Sequence, residues 1–523
     1  MRFTPVIILK GTLALALSTG GIFMAAAAER TERQMSLADC ITVALEHNFD
    51  LQIERYNPLI ADSNLRLAYA DYDPAMRFSA NHSYSQSPGG RDARGDFSGR
   101  TTETDDLRAS VGGAMPYGLS YGIQARANDS YGQEPRTGTN GLSQLFGFDS
   151  SQSDAAAVEL RQALLKNFWI DGTLINIRLR KKSLQQSDLA LRMSLITTVH
   201  GVEEAYYNLM AARENVKSAE IALELAKKLY EENRKRVEVG AMAQLDERQA
   251  QAQMASAESD LIEAKRTVDQ RENVLKLLLS DKYEDWHKVS IVPAEKLEAL
   301  PEALDVESSW EEAFTLRPDL LSLSIEIEKG VLNLRYSRNQ LLPQLDAVGT
   351  LGWQGSGSEF SDSLDQVGQG SAPHYSYGLE LSFPLSNRAA RERHRQNRDT
   401  QAQAELRLRQ ARQQVMVGIH DAIQEADSSF QRVGSRRAAR VFAEEALAAE
   451  EKKLANGKST SFEVLRLQRD LTAARYQETS ALSDYNRALA LVRQRKATSL
   501  KKFNLETATE ATKQVDELKK AKQ

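Results

Sequence analysis

The chain has 523 residues, with 67 Lys and Arg against 72 Asp and Glu for a formal net charge of −5. That near-neutral balance gives no basic footprint for nucleic acid, and a mean hydropathy of −0.48 is too polar for a bundle of membrane-spanning helices. A single cysteine, Cys40, excludes an internal disulfide, a CxxC redox pair and any zinc-finger spacing.

The first residues read as an address. Arg2 and Lys10 supply a positive start, residues 11–28 carry no charge, and Ala26-Ala27-Ala28 before Glu29 fits a small-residue cleavage site. Residues 1–28 are therefore expected to be a secretory signal peptide. A retained membrane anchor is the competing reading, weakened by Gly20-Gly21 and the alanine run. Cys40 lies well past the expected cut, so it does not fit a lipid-modified first residue. No later segment reaches the ~18 apolar residues of a membrane helix.

Short runs with period two follow. Met76, Phe78, Ala80, His82 and Tyr84 share one face of a strand, with Arg77, Ser79, Asn81, Ser83 and Ser85 on the other. Tyr117–Ala125, Leu345–Trp353 and Tyr375–Leu385 alternate in the same way, and Leu107–Gly113 and Val158–Leu164 do so more weakly. Each run is about ten residues, enough to cross a bilayer when tilted, with aromatics near the ends. A soluble β-sandwich alternates equally well; the expected export signal and the long helices beside the strands favour the membrane.

Those helices are announced by proline. None falls between Pro135 and Pro293, and none after Pro384, which leaves two long stretches uninterrupted. From Leu174 to Val239 an apolar residue recurs every seventh position: Leu195, Val202, Leu209, Val216, Leu223, Tyr230 and Val237. Three residues on sit Thr198, Ala205, Ala212, Ala219 and Ala226, small enough for close helix approach. A seven-residue repeat specifies a supercoiled seam. Gly240 ends the run, and a second helix from about Ala243 to Leu279 turns back along it. The plan recurs from Arg388 to Asn456, then Gly457, then Ser461 to about Ser499, with Ala474, Ala481 and Ala488 seven apart.

The chain is internally duplicated. Ala44–Leu51 echoes Ala313–Leu320 at an offset of 269, which Pro74 and Pro343 share; the helix turns repeat at an offset of 217. The first copy is longer by 52, in the Gly/Ser/Arg/Asp-rich stretch around 88–153. Residues 29–300 read as a first repeat, 301–505 as a second, and 506–523, rich in Lys, Glu and Thr, as a flexible tail.

The paired phrases SLADCITVALEHNFDL and SSWEEAFTLRPDLL, the runs YGLELSFPLSN and VELRQALLKNF, and the turns RVEVGAMAQLD and KLANGKSTSFEVL together resemble the TolC-type outer membrane efflux proteins. The resemblance covers essentially everything after the expected signal peptide. It implies a mostly α fold with membrane β-barrel strands: a homotrimer in which four strands per chain close one twelve-stranded barrel, continued by a long antiparallel coiled-coil tunnel. It implies residence in the outer membrane of a Gram-negative cell, reaching into the periplasm and embedded in outer membrane lipid. It also implies docking onto a periplasmic adaptor and an inner-membrane RND, ABC or MFS transporter, for drug efflux or type I secretion of small molecules or polypeptides. Four strands leave open edges, so physics alone asks for oligomerisation.

By the same resemblance the periplasmic tip carries adaptor contacts, which fall here on Arg236, Val237, Gly240, Lys453, Leu454 and Gly457. Glycine also suits such a turn simply as a helix C-cap. Asp246 and Glu463, six residues after the glycines, would form an entrance carboxylate ring in a trimer and select for cations. They fit equally as helix-start carboxylates stabilised by the helix dipole. The family's second acid beyond Glu463 is replaced by Arg466, which suggests pairing with a neighbouring carboxylate. Resemblance also favours an extracellular hairpin for residues 107–125, since four strands per chain are then complete.

Catalytic signals are absent. His200, Glu203 and Glu204 have helical ligand spacing but read as coiled-coil surface, and Trp353–Phe360 lacks the lysine and following helix of a phosphate loop. That segment and the 88–105 stretch are expected to be extracellular loops. No enzyme, cofactor or metal is expected. The rival to a channel is a non-transport coiled-coil spacer or surface protein with a β-anchor domain.

Overall fold

The computed structural model describes residues 31–503, apart from 92, 96, 138, 140 and 141. The expected signal peptide and the tail from 506 lie outside the described residues.

Two very long helices form the frame. Helix α4 (Gly172–Glu238) has 67 residues and α10 (Arg388–Ala455) has 68, so each is about 100 Å long at 1.5 Å per residue. Asp171 caps α4 by accepting the Leu174 N–H at 2.8 Å. The return helices α5 (Gln244–Leu279) and α11 (Ser461–Lys496) are only 36 residues each, half the length of their partners. The other half of each long helix is flanked by a shorter one: α3 (Tyr56–Tyr69) lies on α4, and α8 (Pro318–Asn339) lies on both α4 and α10. The seam follows the seven-residue pattern. Ala205, Ala212, Ala219 and Ala226 are all buried, as are Val202, Leu209 and Leu223, and Ala481 and Ala488 answer from α11.

A small collar surrounds the middle. Strand β1 (Thr31–Met35) pairs in parallel with β6 (Val289–Pro293). Helix α1 (Leu37–His47), with a Ser36/Asp39 capping box, packs on α4 and α5. Helices α2 (Phe49–Glu54), α6 (Tyr283–Trp286), α7 (Val306–Leu316) and α12 (Ser499–Lys502) complete it. Cys40 is fully buried in this core with Ile41, Ile196 and Leu209, and burial pushes its thiol up to about 12. It is a packing residue there.

At the far end from the helix turns is one antiparallel sheet of six strands, in the order β2 (Ala75–Arg91), β3 (Phe97–Met115), β4 (Leu119–Thr137), β5 (Ser143–Ala163), β7 (Gln344–Gly357) and β8 (Pro373–Ser382). Six strands replace the four that the resemblance implies. Residues 107–125 are not an extracellular hairpin: they span β3, a turn at Pro116–Gly118 and β4, and the turn lies at the helical end of the sheet. The reason is local. Both flanks alternate with period two, and Tyr117 and Gly118 take φ of 74° and 83° to reverse the chain. The described part of the 88–105 stretch is likewise mostly strand, with β2 running to Arg91 and β3 starting at Phe97, and Trp353–Gly357 continues β7 before the short helix α9 (Phe360–Gly368). Most of the 52 residues by which the first half is longer therefore go into β3 and β4, of 19 residues each. Strands β2 and β8 are the sheet's edges. No helix among the described residues is long and apolar enough to cross a membrane; the sheet is what offers an apolar surface.

Candidate functional site: the helix turns and the polar face of the sheet

The two helix turns have the same build. Gly240 donates to the Val237 carbonyl at 2.9 Å and Ala241 to that of Arg236 at 2.8 Å; Gly457 donates to Leu454 at 3.1 Å and Lys458 to Lys453 at 2.9 Å. These are Schellman caps, with both glycines in the left-handed region at φ 71° and 70°. A Cβ at either glycine would meet nothing within 4 Å, so what glycine supplies is the dihedral and not clearance. Arg236 and Val237 are half-buried, Lys453 is exposed, and Leu454 is buried in a tip core with Leu229, Leu447, Val464, Leu465 and Leu471. Between α4, α10 and α11 a cleft of about 170 Å³ is lined in part by Leu229, Arg236, Glu451, Leu454 and Val464. The Lys453 ammonium, 2.9 Å from Glu450, and the Ser459 hydroxyl hold that carboxyl below the usual range.

Asp246 and Glu463 both occupy first turns, of α5 and α11. Arg466 pairs with Glu463 itself at 2.7 Å, so within the chain this carboxylate is partly compensated. Asp246 is half-buried, and its backbone carbonyl accepts from Asn233 at 3.4 Å.

That contact belongs to a group the sequence reading missed. Asn233 of α4 is 1% exposed, and Ser461, also 1% exposed, donates to its Oδ1 at 3.1 Å. Ser461 also lies 3.7 Å from the Met242 sulfur. One buried asparagine thus ties the α4–α5 turn to the start of α11. A signal for it exists: Asn233 is the next member of the series Thr198, Ala205, Ala212, Ala219, Ala226, a polar residue where a small apolar one is due.

Glu203, considered above with His200, is fully buried and pairs with Arg493 of α11 at 2.8 Å; Glu204 reaches Arg487 at 3.7 Å. These are cross-helix ties at the collar.

On the sheet, ladder pairing sorts residues by face. One row reads Met76, Val111, Ile123, Val158, Leu351, Tyr375, from edge to edge and wholly apolar. A row on the opposite face reads Ser79, Arg108, Arg126, Asp154, Gln354. Like charges directly opposite repel, and Asp106 compensates by pairing with Arg126 at 2.6 Å and with Arg108. Arg161 similarly bridges Asp346 at 2.9 Å and Glu380 at 2.8 Å across β5, β7 and β8. Farther from the helices the apolar face also turns polar, in the row His82, Asp105, Asp129, Ser151. The apolar band therefore has a defined upper margin.

Comparison with known proteins agrees with this architecture. The sequence profile of the outer membrane efflux protein family matches residues 115–280 and 310–495. No curated protein matches the chain in sequence. The solved outer-membrane channel OprN is 15% identical with a TM-score of 0.64, covering 88% of this chain and 89% of that one. The Campylobacter jejuni CmeC outer membrane channel is 16% identical at 0.64, covering 92% and 88%. The open state of the Neisseria gonorrhoeae MtrE outer membrane channel is 17% identical at 0.59, covering 88% of each. At such identities the likeness concerns the fold, whereas the profile match takes in more than half of the chain. With both of its long hairpins and four of the six strands of the large sheet inside that match, the chain belongs to the outer membrane efflux protein family, as an outer membrane protein that extends into the periplasm.

Proposed function

We propose that three copies assemble into a passive channel, the outer membrane component of a tripartite efflux pump or type I secretion system exporting small molecules or polypeptides. The observation that carries this reading is a sheet apolar on one face, open at both edges and joined directly to helical hairpins about 100 Å long. In lipid, an open edge leaves backbone groups unsatisfied, so β2 and β8 need partners from neighbouring copies. Closure puts Arg108, Arg126 and Arg161 with their carboxylates on a wet lumen, and the hairpins continue that lumen through the periplasm.

At the other end, a periplasmic adaptor docks on the two turns through Arg236, Val237, Gly240, Lys453 and Gly457, with Leu454 shaping the cleft from beneath. The adaptor links the channel to an inner-membrane RND, ABC or MFS transporter, which selects the cargo. Asp246 and Glu463 repeat around the three-fold axis as the entrance ring, softened by Arg466. Asn233 and Ser461 hold the two turns together, so opening the entrance requires their hydrogen bond to break.

The test is conductance in planar bilayers. Purified protein should form ion-conducting pores, and Ser461→Asp, which places a second acceptor against Asn233 Oδ1, should raise conductance several-fold. Unchanged conductance counts against this gate. A complete lack of pores from intact protein favours the non-transport spacer instead.

A further inference from the structure

We infer that the β3–β4 hairpin is part of the membrane-embedded wall, so that the trimeric barrel has eighteen strands rather than twelve and encloses a wider exit lumen. This rests on the trimeric channel reading above, and the hairpin itself decides the count.

Three observations place the hairpin in the wall. First, its alternation is in phase with the rest of the sheet. Val111 and Ile123 sit inside the apolar row that runs from Met76 on β2 to Tyr375 on β8, and Ala109 and Ala125 continue it beside Phe78. A hairpin standing in water outside the membrane has no need of one apolar face aligned with its neighbours' lipid-facing residues.

Second, the apolar band ends at one level on every strand of the first repeat. His82, Asp105, Asp129 and Ser151 are paired one to the next across β2, β3, β4 and β5. On β3 the span from Met115 to Leu107 is nine residues, roughly 30 Å along the strand and about 23 Å once tilted, close to the height of an outer membrane apolar band. The inserted strands thus change polarity at the same level as those that flank them.

Third, the hairpin's turn is built into the junction between strands and helices. The Tyr117 ring lies 4.5 Å from that of Trp169, and the Tyr117 N–H donates to Asp171 at 3.3 Å. Asp171 also accepts from Tyr72 at 3.0 Å and caps α4. A Cβ at Gly118 would come within 2.6 Å of the Asn167 carbonyl oxygen, so the turn is seated closely against the end of the sheet that faces the helices. Both strands therefore rise from an anchored turn and run the full height of the band.

Each chain then contributes six strands. At equal tilt the diameter grows roughly in proportion to strand number, so eighteen strands give an exit about one and a half times as wide as twelve. Barrels of 16–18 strands hold an aqueous channel, whereas those of about eight strands are filled by side chains. The three Arg108–Asp106–Arg126 groups would line that wider bore.

Site-directed fluorescence quenching tests the placement. Single cysteines are introduced in the full-length protein, labelled with a maleimide fluorophore and reconstituted as trimers into phosphatidylcholine vesicles with or without nitroxide-labelled lipid. The native Cys40, fully buried, stays unlabelled. Val111→Cys and Ile123→Cys should be quenched by the lipid as strongly as Phe78→Cys and Tyr377→Cys, while Ser110→Cys and Gln124→Cys on the opposite face should not. Quenching at Phe78 and Tyr377 alone, with Val111 and Ile123 in water, overturns the eighteen-strand wall and leaves the channel standing. No quenching at any of the four overturns the membrane barrel itself.

Discussion

Glu203 is the residue on which the collar's electrostatics turn. It is fully buried and faces an Arg493 that is 8% exposed, with the half-exposed Glu302 at 3.9 Å from the same guanidinium. A buried charge deprived of its partner is costly, whereas replacing both partners with apolar groups is often neutral. Glu203→Leu alone should therefore destabilise the protein by about 3–5 kcal/mol, and Glu203→Leu with Arg493→Met by far less. Thermal unfolding followed by circular dichroism compares the two; equal losses would show that packing and not charge is what Glu203 supplies. The sequence shows Glu203 only as one acid among many on a charged helix. Its partner lies 290 residues away, and no spacing rule reaches that far.

At the level of elements, the long helices follow from the seven-residue pattern and the lack of proline, and their ends from Gly240 and Gly457. The expected ends of α4, α5, α10 and the start of α11 agree with the structure to within two residues. The caps differ in one respect. Helix α11 has Thr460 accepting the Glu463 N–H, while α5 begins after Ala243 with no side-chain cap. Thr460→Ala should cost about 1 kcal/mol, and Gly457→Ala about as much or more because alanine resists positive φ. Amide hydrogen exchange confined to the first turn of α11 and the last turn of α10 reads both. Protection unchanged by Gly457→Ala would mean the turn tolerates another conformation. Strand lengths were less legible. Gly, Ser, Asp and Arg around 88–105 read as loop because strand propensity there is low, yet the pairing of β2 with β3, and of β3 with β4, carries both strands outward regardless.

For the whole molecule, the sheet is the part that cannot stand alone. Tyr375, Tyr377, Leu379 and Leu381 on β8 are exposed by 59–86%, as are Met76 and Phe78 on β2 at 76% and 68%. In the proposed trimer, lipid and neighbouring copies cover them. An arginine on a lipid face near the midplane costs about 2–4 kcal/mol, while a lumen face tolerates it. Tyr377→Arg should therefore lower the temperature at which trimers dissociate in detergent, and Ser376→Arg, one residue away on the other face, should leave it nearly unchanged. Equal effects would contradict the assignment of the two faces.

Local pattern alone determined the helical frame, the alternating strands, the duplication and the family, because each depends on residues close in sequence: periodicity, proline, glycine and repeated phrases. Tertiary structure decided which strands pair, and so raised the count from four to six by threading β3 and β4 between β2 and β5. It also decided which polar groups are buried together, as in Asn233 with Ser461 and Glu203 with Arg493. Ladder register and charge pairing join segments tens to hundreds of residues apart, and their energies depend on desolvation that only the folded arrangement creates.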